Sequence, residues 1–346
     1  MPDALDNTWK DDRGRREQRE RLSNIRVLLA DRDMRIASLV QRILFSFGFR
    51  KIELVTSGEE ALKFLRSHHY DLIITEYNMA PVDGIELVRE IRAAREDKRI
   101  PRDIPIIMLT ARSEKINVEA ARDAGINEFI AKPFTAKTIS NRIIQIIDNP
   151  RAFVESPGYT GPCRRRREKL PEGMVDRRLP PELRRIIEHR APPTFILPPN
   201  NALREQLGEA TALFTEQAIL NAQHELASAE DEFLIWAKDD ISTLKNAYTQ
   251  LALDHNNSTA ARLLVDAAYS IRSQAGIFGY SLGTEISAML VQFLTEHPHP
   301  KGEQLVVVRK HIEAITVIFT QQIKDSAQTV GEELIKSLKI LIRKMS

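Results

Sequence analysis

The sequence has almost no cysteine, no long apolar run and almost no net charge. Its 346 residues include a single cysteine, Cys163, which excludes an internal disulfide and is typical of a reducing compartment. No apolar run approaches the ~18 residues of a membrane span, and the first residues lack the apolar centre of a signal peptide. A formal net charge of +2 favours no class of partner. We therefore expect a cytoplasmic protein without a membrane segment, long enough for about two domains.

Between residues 25 and 148, short apolar strands alternate with amphipathic helices. The five strand segments, in chain order, are IRVLLA, KIELV, LIITE, IPIIMLT and EFIAK. Helical spacing of apolar residues follows each of them, with Ser57 as a cap and Gly48 as a stop. Strands that are apolar on both faces and joined by helices predict an α/β domain, a doubly wound five-stranded parallel sheet covered on both sides. Residues 1–24 are charge-dense and are predicted to be a tail.

Two regions of different composition follow. Residues 149–200 hold ten of the chain's 17 prolines and the basic run Arg164–Arg167, which predicts an extended, basic linker. Residues 201–346 contain amphipathic stretches with no proline before Pro298. This second pattern predicts an all-α bundle of about six helices.

Polar residues stand where the predicted strands end. Asp31 and Asp33 follow the first strand, Glu76 ends the third, Thr110 ends the fourth and Lys132 ends the fifth. Parallel strands place their carboxyl ends at one edge, where such sheets carry their sites. A carboxylate can accept a phosphoryl group, an acidic pair can hold a divalent cation, and a hydroxyl and an ammonium can bind phosphoryl oxygens. The pattern indicates phosphoryl chemistry.

The segments around these residues resemble the receiver domain of bacterial two-component response regulators. The matching motifs are LLADRD, DLIITEYNMAPVDG, PIIMLTA and EFIAKPF. The resemblance implies a flavodoxin-like fold over residues 25–148. It also implies that Asp31 is the first acidic residue of the pocket, Thr110 the switch hydroxyl, Lys132 the phosphate-binding lysine and Phe129 the switch aromatic.

Two positions depart from the receiver pattern. Glu76 stands where the family has its phosphoacceptor Asp, and Arg32 stands where a second acidic residue touches the metal. Because a guanidinium has a permanent positive charge and no lone pair, we expect weak or no Mg²⁺ binding and no other cofactor. Either Glu76 partly mimics a phosphorylated Asp, or the pocket is inert and the domain is a docking surface. Both hypotheses predict no covalent phosphorylation.

A second resemblance lies in the helical region. The segment AAYSIRSQAGIFGYSLGTEISAML, residues 267–290, is similar to the signature of the histidine phosphotransfer (Hpt) domain, a four-helix bundle. The similarity covers about residues 230–325, with Arg272 and Ser273 at signature positions. Tyr269 stands where the histidine belongs. A phenol with a pKa of ~10 is a poor nucleophile at neutral pH, so the resemblance implies a phosphotransfer surface without its chemistry.

Together these features predict a phosphorelay signalling protein that acts by docking and is not an enzyme. The expected partners are a histidine kinase, a phosphotransfer protein or another receiver. One alternative is a response regulator switched by partner binding or by homodimer formation through its fourth and fifth helices. Another is a nucleic-acid-binding regulator that uses Arg164–Arg167, although a solvated linker explains the same run.

Overall fold

The structure, a computed structural model, describes residues 20–110, 115–164, 195–324 and 329–343. Most of the predicted tail, and Arg165–Arg167 of the basic run, lie outside the described residues. The chain divides into two compact units. The first comprises residues 1–130 and 136–222, and the second comprises residues 131–135 and 223–346.

The first unit contains a five-stranded sheet with the strand order β2–β1–β3–β4–β5. Its strands are β1 (Arg26–Ala30), β2 (Lys51–Val55), β3 (Leu72–Glu76), β4 (Ile106–Thr110) and β5 (Glu128–Ala131). In the parallel register, Val27 lies beside Ile52 on one side and beside Leu72 on the other. Strands β3 and β4 are buried along their whole length, as expected for strands that are apolar on both faces. The predicted doubly wound parallel sheet is confirmed.

Five helices cover this sheet. They are α1 (Met34–Phe47), α2 (Gly58–Ser67), α3 (Gly84–Ala93), α4 (Lys115–Ala124) and α5 (Ala136–Asp148). Local sequence sets their ends: Ser57 caps α2 by accepting from Glu60 N, and Gly48 ends α1 with a φ of 115°. The predicted cap and the predicted stop are therefore confirmed.

The segment after α5 is not the extended linker that we expected. It forms an antiparallel hairpin of β6 (Phe153–Ser156) and β7 (Tyr159–Pro162), and β8 (Phe195–Leu197) pairs with β6. The turn between β6 and β7 contains Pro157 and Gly158, two residues typical of turns. Phe153 and Tyr159 are buried, which explains why this proline-rich stretch folds. The prediction of a linker over residues 149–200 was wrong for its first part, and residues 165–194 lie outside the described residues.

Three further helices follow, and they shift the expected domain boundary. They are α6 (Ala202–Leu207), α7 (Ala210–Leu213) and α8 (Glu216–Ser228). The backbone N–H of Ala210 donates to Asp148 Oδ1 at 2.7 Å, and the ring of Phe214 meets Phe47 edge-on at 5.1 Å. Because these contacts join the segment to α1 and α5, the first unit extends to Ala222 and does not end before residue 201.

The second unit is helical, as predicted. Its helices are α9 (Glu230–Leu253), α10 (Ser258–Ala275), α11 (Ser281–Glu296), α12 (Glu303–Thr320) and α13 (Thr329–Arg343). Helices α9 to α12 pack in sequence, α12 also packs on α9, and α13 lies against α11 and α12. An aromatic cluster holds one end of the core, with Phe233 stacked on Phe278 at 4.5 Å and Tyr280 at 5.2 Å from Phe319. Among the helices that the structure describes, none combines the length and apolar character needed to cross a membrane.

Candidate functional site

The carboxyl edge of the parallel sheet carries the residues singled out in the sequence. Asp31 directly follows β1, Glu76 and Thr110 are the last residues of β3 and β4, and Lys132 directly follows β5. Asp31, Glu76 and Thr110 are at most 1% exposed, and Lys132 is 8% exposed. The strand ends therefore carry four buried polar side chains, which is unusual unless they have partners.

The acidic residues after β1 build the turn into α1. Asp31 Oδ1 accepts a hydrogen bond from the backbone N–H of Asp33 at 2.9 Å. Asp33 caps α1, since its Oδ1 accepts from Arg35 N at 3.0 Å and from Arg35 Nε at 3.1 Å. A carboxylate at a helix N-terminus is stabilised by the unpaired amides and by the helix dipole. Both carboxylates therefore stabilise this turn through hydrogen bonds.

Glu76 bonds to the loop that it begins. Its Oε1 accepts from the backbone N–H groups of Tyr77 at 2.8 Å and Asn78 at 3.3 Å. The loop is tight, because Gly84 N donates to Tyr77 O at 2.9 Å and a Cβ on Gly84 would lie 2.1 Å from Glu76 O. The sequence already contained the Asp-Gly pair at 83–84, but only the structure shows why the second residue is glycine.

Arg32 and Phe129 complete the set predicted for this edge. Arg32 is half-buried between the two acidic residues of the β1–α1 turn. Phe129 is half-buried and packs against the apolar core on one face of the sheet. An arginine in this turn supplies positive charge where a cation would need an oxygen ligand.

The carboxylates at this edge that could bind Mg²⁺ also accept hydrogen bonds from backbone N–H groups. Mg²⁺ binds through one or two carboxylates in a near-octahedral shell. Here Asp31, Asp33 and Glu76 each accept backbone N–H groups, and the residue between the two aspartates is Arg32. In the described part of the chain, no group of three or more His, Cys, Asp or Glu side chains is arranged to hold a metal ion.

A second polar centre lies at the opposite, amino-terminal edge of the sheet, and the sequence reasoning missed it. Arg92, at the end of α3, is 2% exposed. Its Nε donates to Gly125 O at 2.9 Å, its Nη1 donates to Ile104 O at 2.9 Å and to Arg102 O, and its Nη2 donates to Asn127 Oδ1 at 3.1 Å. Burial lowers the pKa of Arg92 to about 9. The available signal was its position four residues after Val88, on the apolar face of α3.

Further arginines attach the β6–β7 hairpin to this edge. Arg151 donates to Cys163 O at 3.1 Å and to Asn127 O, and Arg102 forms an ion pair with Glu155. Arg164 forms a 2.7 Å ion pair with Asp123 and lies 4.3 Å from the ring centre of Tyr159. We call Arg92, Arg102, Arg151 and Arg164 with these partners the arginine clamp.

The residues of the predicted phosphotransfer motif share one face of α10. Tyr269, Arg272 and Ser273 are spaced at i, i+3 and i+4. Tyr269 is buried, Arg272 is half-buried, and Ser273 Oγ donates to Tyr269 O at 2.9 Å within the helix. This face carries a phenol and no histidine, so it has no imidazole to accept a phosphoryl group.

Comparison with known proteins identifies the first unit. A family model for the response regulator receiver domain matches residues 27–144. Chemotaxis protein CheY-3 of Vibrio cholerae serotype O1 is 31% identical over 125 residues, which are 36% of this chain and 93% of CheY-3. The chain belongs to the response regulator receiver family. Chemotaxis protein CheY of Pseudomonas aeruginosa is 30% identical over 124 residues, which are 36% of this chain and 97% of that protein.

Solved structures of receivers are also similar. The receiver domain of the sensor histidine kinase PA1611 from Pseudomonas aeruginosa PAO1 is 30% identical, covers 35% of this chain and 94% of its own, and has a TM-score of 0.31. That receiver has a magnesium ion coordinated in its active site cleft. Chemotaxis response regulator CheY4 of Vibrio cholerae is 25% identical, with 35% and 98% of the two chains covered and a TM-score of 0.32.

Proposed function

We propose that this protein is a two-component signalling protein whose receiver acts by binding partners and does not receive a phosphoryl group. The observation that carries the proposal is Glu76 at the phosphoacceptor position, 1% exposed, with Oε1 bonded to two backbone amides of its own loop. A carboxylate that accepts these two hydrogen bonds stabilises the loop that follows it.

Weak or absent Mg²⁺ binding is part of the same proposal. A phosphoryl group carries charge that receivers neutralise with a cation and a lysine. Arg32 stands at one ligand position and adds positive charge, which disfavours a divalent cation by repulsion. Asp31 and Asp33 are also engaged in the turn into α1.

The proposed partners are a histidine kinase, a phosphotransfer protein or another receiver, in the cytoplasm. The bundle would be an Hpt-like module that has lost its histidine, because Tyr269 shares a face of α10 with Arg272 and Ser273. On this proposal neither unit is an enzyme, and the protein alters phosphoryl flow by occupying surfaces of proteins that carry it. Membership of the receiver family supports signalling partners in general.

Labelling with acetyl phosphate in Mg²⁺ tests the loss of chemistry. We expect no label on the natural protein and none on Glu76→Asp, because Arg32 still occupies the metal position. The double variant Arg32→Asp with Glu76→Asp should acquire Mg²⁺-dependent label. Arg50→Asp with Glu76→Asp makes the same charge change away from this edge and should stay unlabelled. Stable Mg²⁺-dependent labelling of the natural protein would refute the proposal.

The two hypotheses for Glu76 are separated by a neutral, isosteric change. Glu76→Gln keeps an oxygen that can accept from Tyr77 N and removes the charge. The matched control is Glu90→Gln, which removes the same charge from an exposed position on α3. If Glu76 mimics a phosphorylated Asp, the proteins captured from the native cytoplasm should change with Glu76→Gln and not with the control. If the pocket is inert, both variants should capture the same proteins as the natural chain.

No observation on the described residues favours the alternative functions. Arg164, the first residue of the basic run, is engaged by Asp123 and Tyr159, and Arg165–Arg167 lie outside the described residues. A homodimer through α4 and α5 would compete with structure already present, since the hairpin attaches to Asp123 of α4 and α7 packs beside α5. Nucleic-acid binding and this homodimer stay predictions of the sequence.

A further inference from the structure

A histidine is buried in the core of the helical bundle. His311, on α12, is 0% exposed, and it is the one buried histidine in the described part of the chain. Ile315 and Ile318, about one and two turns later on the same side of the helix, are also 0% exposed. Because α12 packs on α9 and α11, His311 lies among the apolar residues that hold these helices together.

Only one ring nitrogen of His311 has a hydrogen-bond partner among the described residues. Nδ1 lies 2.9 Å from Val307 O, one turn earlier in α12, and because a carbonyl oxygen only accepts, Nδ1 carries the proton of the neutral ring. Nε2 is then an acceptor, and no described donor reaches it. Ser287 Oγ, on α11, is likewise buried without a partner in the described bundle. The core therefore contains two polar atoms whose burial no hydrogen bond offsets.

Protonation of Nε2 would place an unpaired charge in this core. The imidazolium has two N–H donors, and the second would have no acceptor among the described residues. Burial of a charge without a partner costs much more free energy than burial of a neutral polar atom. Burial accordingly lowers the pKa of His311, and the hydrogen bond to Val307 O opposes this shift only in part. The closed bundle therefore holds His311 in its neutral form at neutral pH.

The charged groups on the surrounding helices do not neutralise such a proton. Asp240 of α9 is buried, but it does not shift the pKa of His311. Asp266 and Arg272 of α10 are half-buried, and the phenols of Tyr248 on α9 and Tyr269 on α10 are of a type that carries no charge near neutral pH. The other charged residues nearby on α11, α12 and α13 are exposed to solvent: Glu285, Glu296, Arg309, Lys310, Glu313, Glu333, Lys336 and Lys339. A charge on His311 would therefore stay unpaired while the bundle is closed.

We propose that His311 makes the bundle responsive to acid: uptake of a proton at Nε2 separates α12 from α9 and α11 and exposes the apolar residues between them. Separation lets water hydrate the imidazolium, which the closed bundle excludes. Because the closed bundle binds fewer protons than the open one, packing of α12 is complete above the ordinary histidine pKa of about 6.5 and weakens as the pH falls below it. This response does not depend on the function proposed for the receiver.

Hydrogen–deuterium exchange of the full chain, measured by mass spectrometry on peptides from α12, tests this response. After correction for the intrinsic exchange rate, protection of α12 in the natural protein should fall several-fold, up to about tenfold, between pH 7.5 and 5.5, because the open bundle takes up one more proton. Peptides from β3 and β4 are the internal reference. Their protection should not change in this way, since His68 and His69 of the first unit are exposed in the closed state as well.

Two substitutions of His311 separate the effect of the proton from the effect of altered packing. His311→Leu places an apolar side chain in the core and removes the titrating group, so protection of α12 should be equal at the two pH values. His311→Gln keeps a polar side chain that does not titrate, and it should lower protection by the same factor at both pH values. The matched control is His255→Leu, which removes an exposed histidine just after α9 and should keep the natural pH response.

Two results would overturn the proposal. The first is equal protection of α12 at pH 7.5 and 5.5 in the natural protein. The second is a pH-dependent loss of the natural size that persists in His311→Leu and His311→Gln, because another group would then cause the response. If the leucine variant does not fold, the glutamine variant decides by the same comparison.

Discussion

The two edges of the parallel sheet use charged residues in opposite ways. At the carboxyl edge, the carboxylates of Asp31 and Glu76 bond to backbone N–H groups one or two residues further along the chain. At the amino edge, Arg92 bonds to groups 10 to 35 residues away. Contacts of the first kind shape one loop, whereas contacts of the second kind join loops that are distant in sequence.

A buried charged side chain can therefore stabilise a single turn or join segments that are distant in sequence. The carboxyl edge has the position of a receiver pocket, yet its acidic groups are engaged in turns, so their presence alone does not indicate chemistry. The amino edge has no role in the receiver pattern, yet the buried side chain of Arg92 there donates four hydrogen bonds. The hydrogen bonds of Arg151 and the ion pair of Arg102 with Glu155 attach an added element, the hairpin, to this edge.

Removal of the Arg92 side chain, at the centre of the arginine clamp, should give the largest loss in the free energy of unfolding. Arg92→Ala leaves the carbonyls of Ile104 and Gly125 without this buried donor, while Asn127 Oδ1 keeps the backbone N–H of Ile106 as a donor. We expect a loss of about 3 kcal/mol in the free energy of unfolding, measured by urea denaturation followed by circular dichroism. Arg99→Ala is the control, because Arg99 is exposed and pairs with Asp97 beside it. Equal losses in the two variants would contradict the role given to the clamp.

At the carboxyl edge, a substitution at Gly84 should lower the free energy of unfolding most, because the loop leaves no space for a side chain there. In Gly84→Ala the new Cβ would lie 2.1 Å from Glu76 O, a backbone atom that cannot turn away. We expect a loss of about 2 kcal/mol in the same measurement, through displacement of the β3–α3 loop. Gly158→Ala, in the hairpin turn, places its Cβ in open space and should change stability little. A tolerated Gly84→Ala would mean that this loop is looser than the structure shows.

Glu76 should contribute to the free energy of unfolding more through its hydrogen bonds than through its charge. Glu76→Ala leaves Asn78 N without its acceptor, at a cost of about 1 kcal/mol, whereas Tyr77 N still donates to Leu109 O at 3.1 Å. Glu76→Gln retains an acceptor and should cost less. Amide hydrogen exchange at Asn78, measured by NMR, should accelerate in the alanine variant and stay slow in the glutamine variant, while Tyr77, whose N–H also donates to Leu109 O, should change less. Similar exchange in both would show that the loop is held by other contacts.

Arg164, the exposed member of the arginine clamp, should contribute least to the free energy of unfolding. Arg164→Ala removes an exposed ion pair with Asp123, which we expect to be worth about 0.5 kcal/mol or less. Partial burial raises the pKa of Asp123, but its hydrogen bonds with Arg164 and Arg122 outweigh this and hold it below its ordinary value. The pair therefore adds stability above the ordinary Asp pKa and loses it as the pH falls through the lowered value. An NMR titration should show the pKa of Asp123 rising in Arg164→Ala, and no rise would mean that Arg122 alone sets it.

Sequence reasoning worked where the signal was local. Apolar runs located all five strands, and Ser57 and Gly48 located helix ends, because capping and left-handed backbone depend on a few neighbouring residues. The family pattern singled out Asp31 and Glu76 at the correct edge. It did not find Arg92 or the hairpin, since the partners of Arg92 lie in separate loops. A proline-rich composition predicted an extended chain, whereas Phe153 and Tyr159 are buried and the arginine clamp attaches the hairpin.

By itself, the sequence determined the sheet, its helices, the helical character of the second unit and the identity of the residues at the strand ends. These follow from periodicity and from residue chemistry, which neighbouring residues decide. The packed structure was needed to show that Glu76 bonds to its own loop and that Arg92 joins the loops that precede β4 and β5. Each of those features depends on how segments of the chain are placed beside one another, and their distances are set only when the whole unit packs.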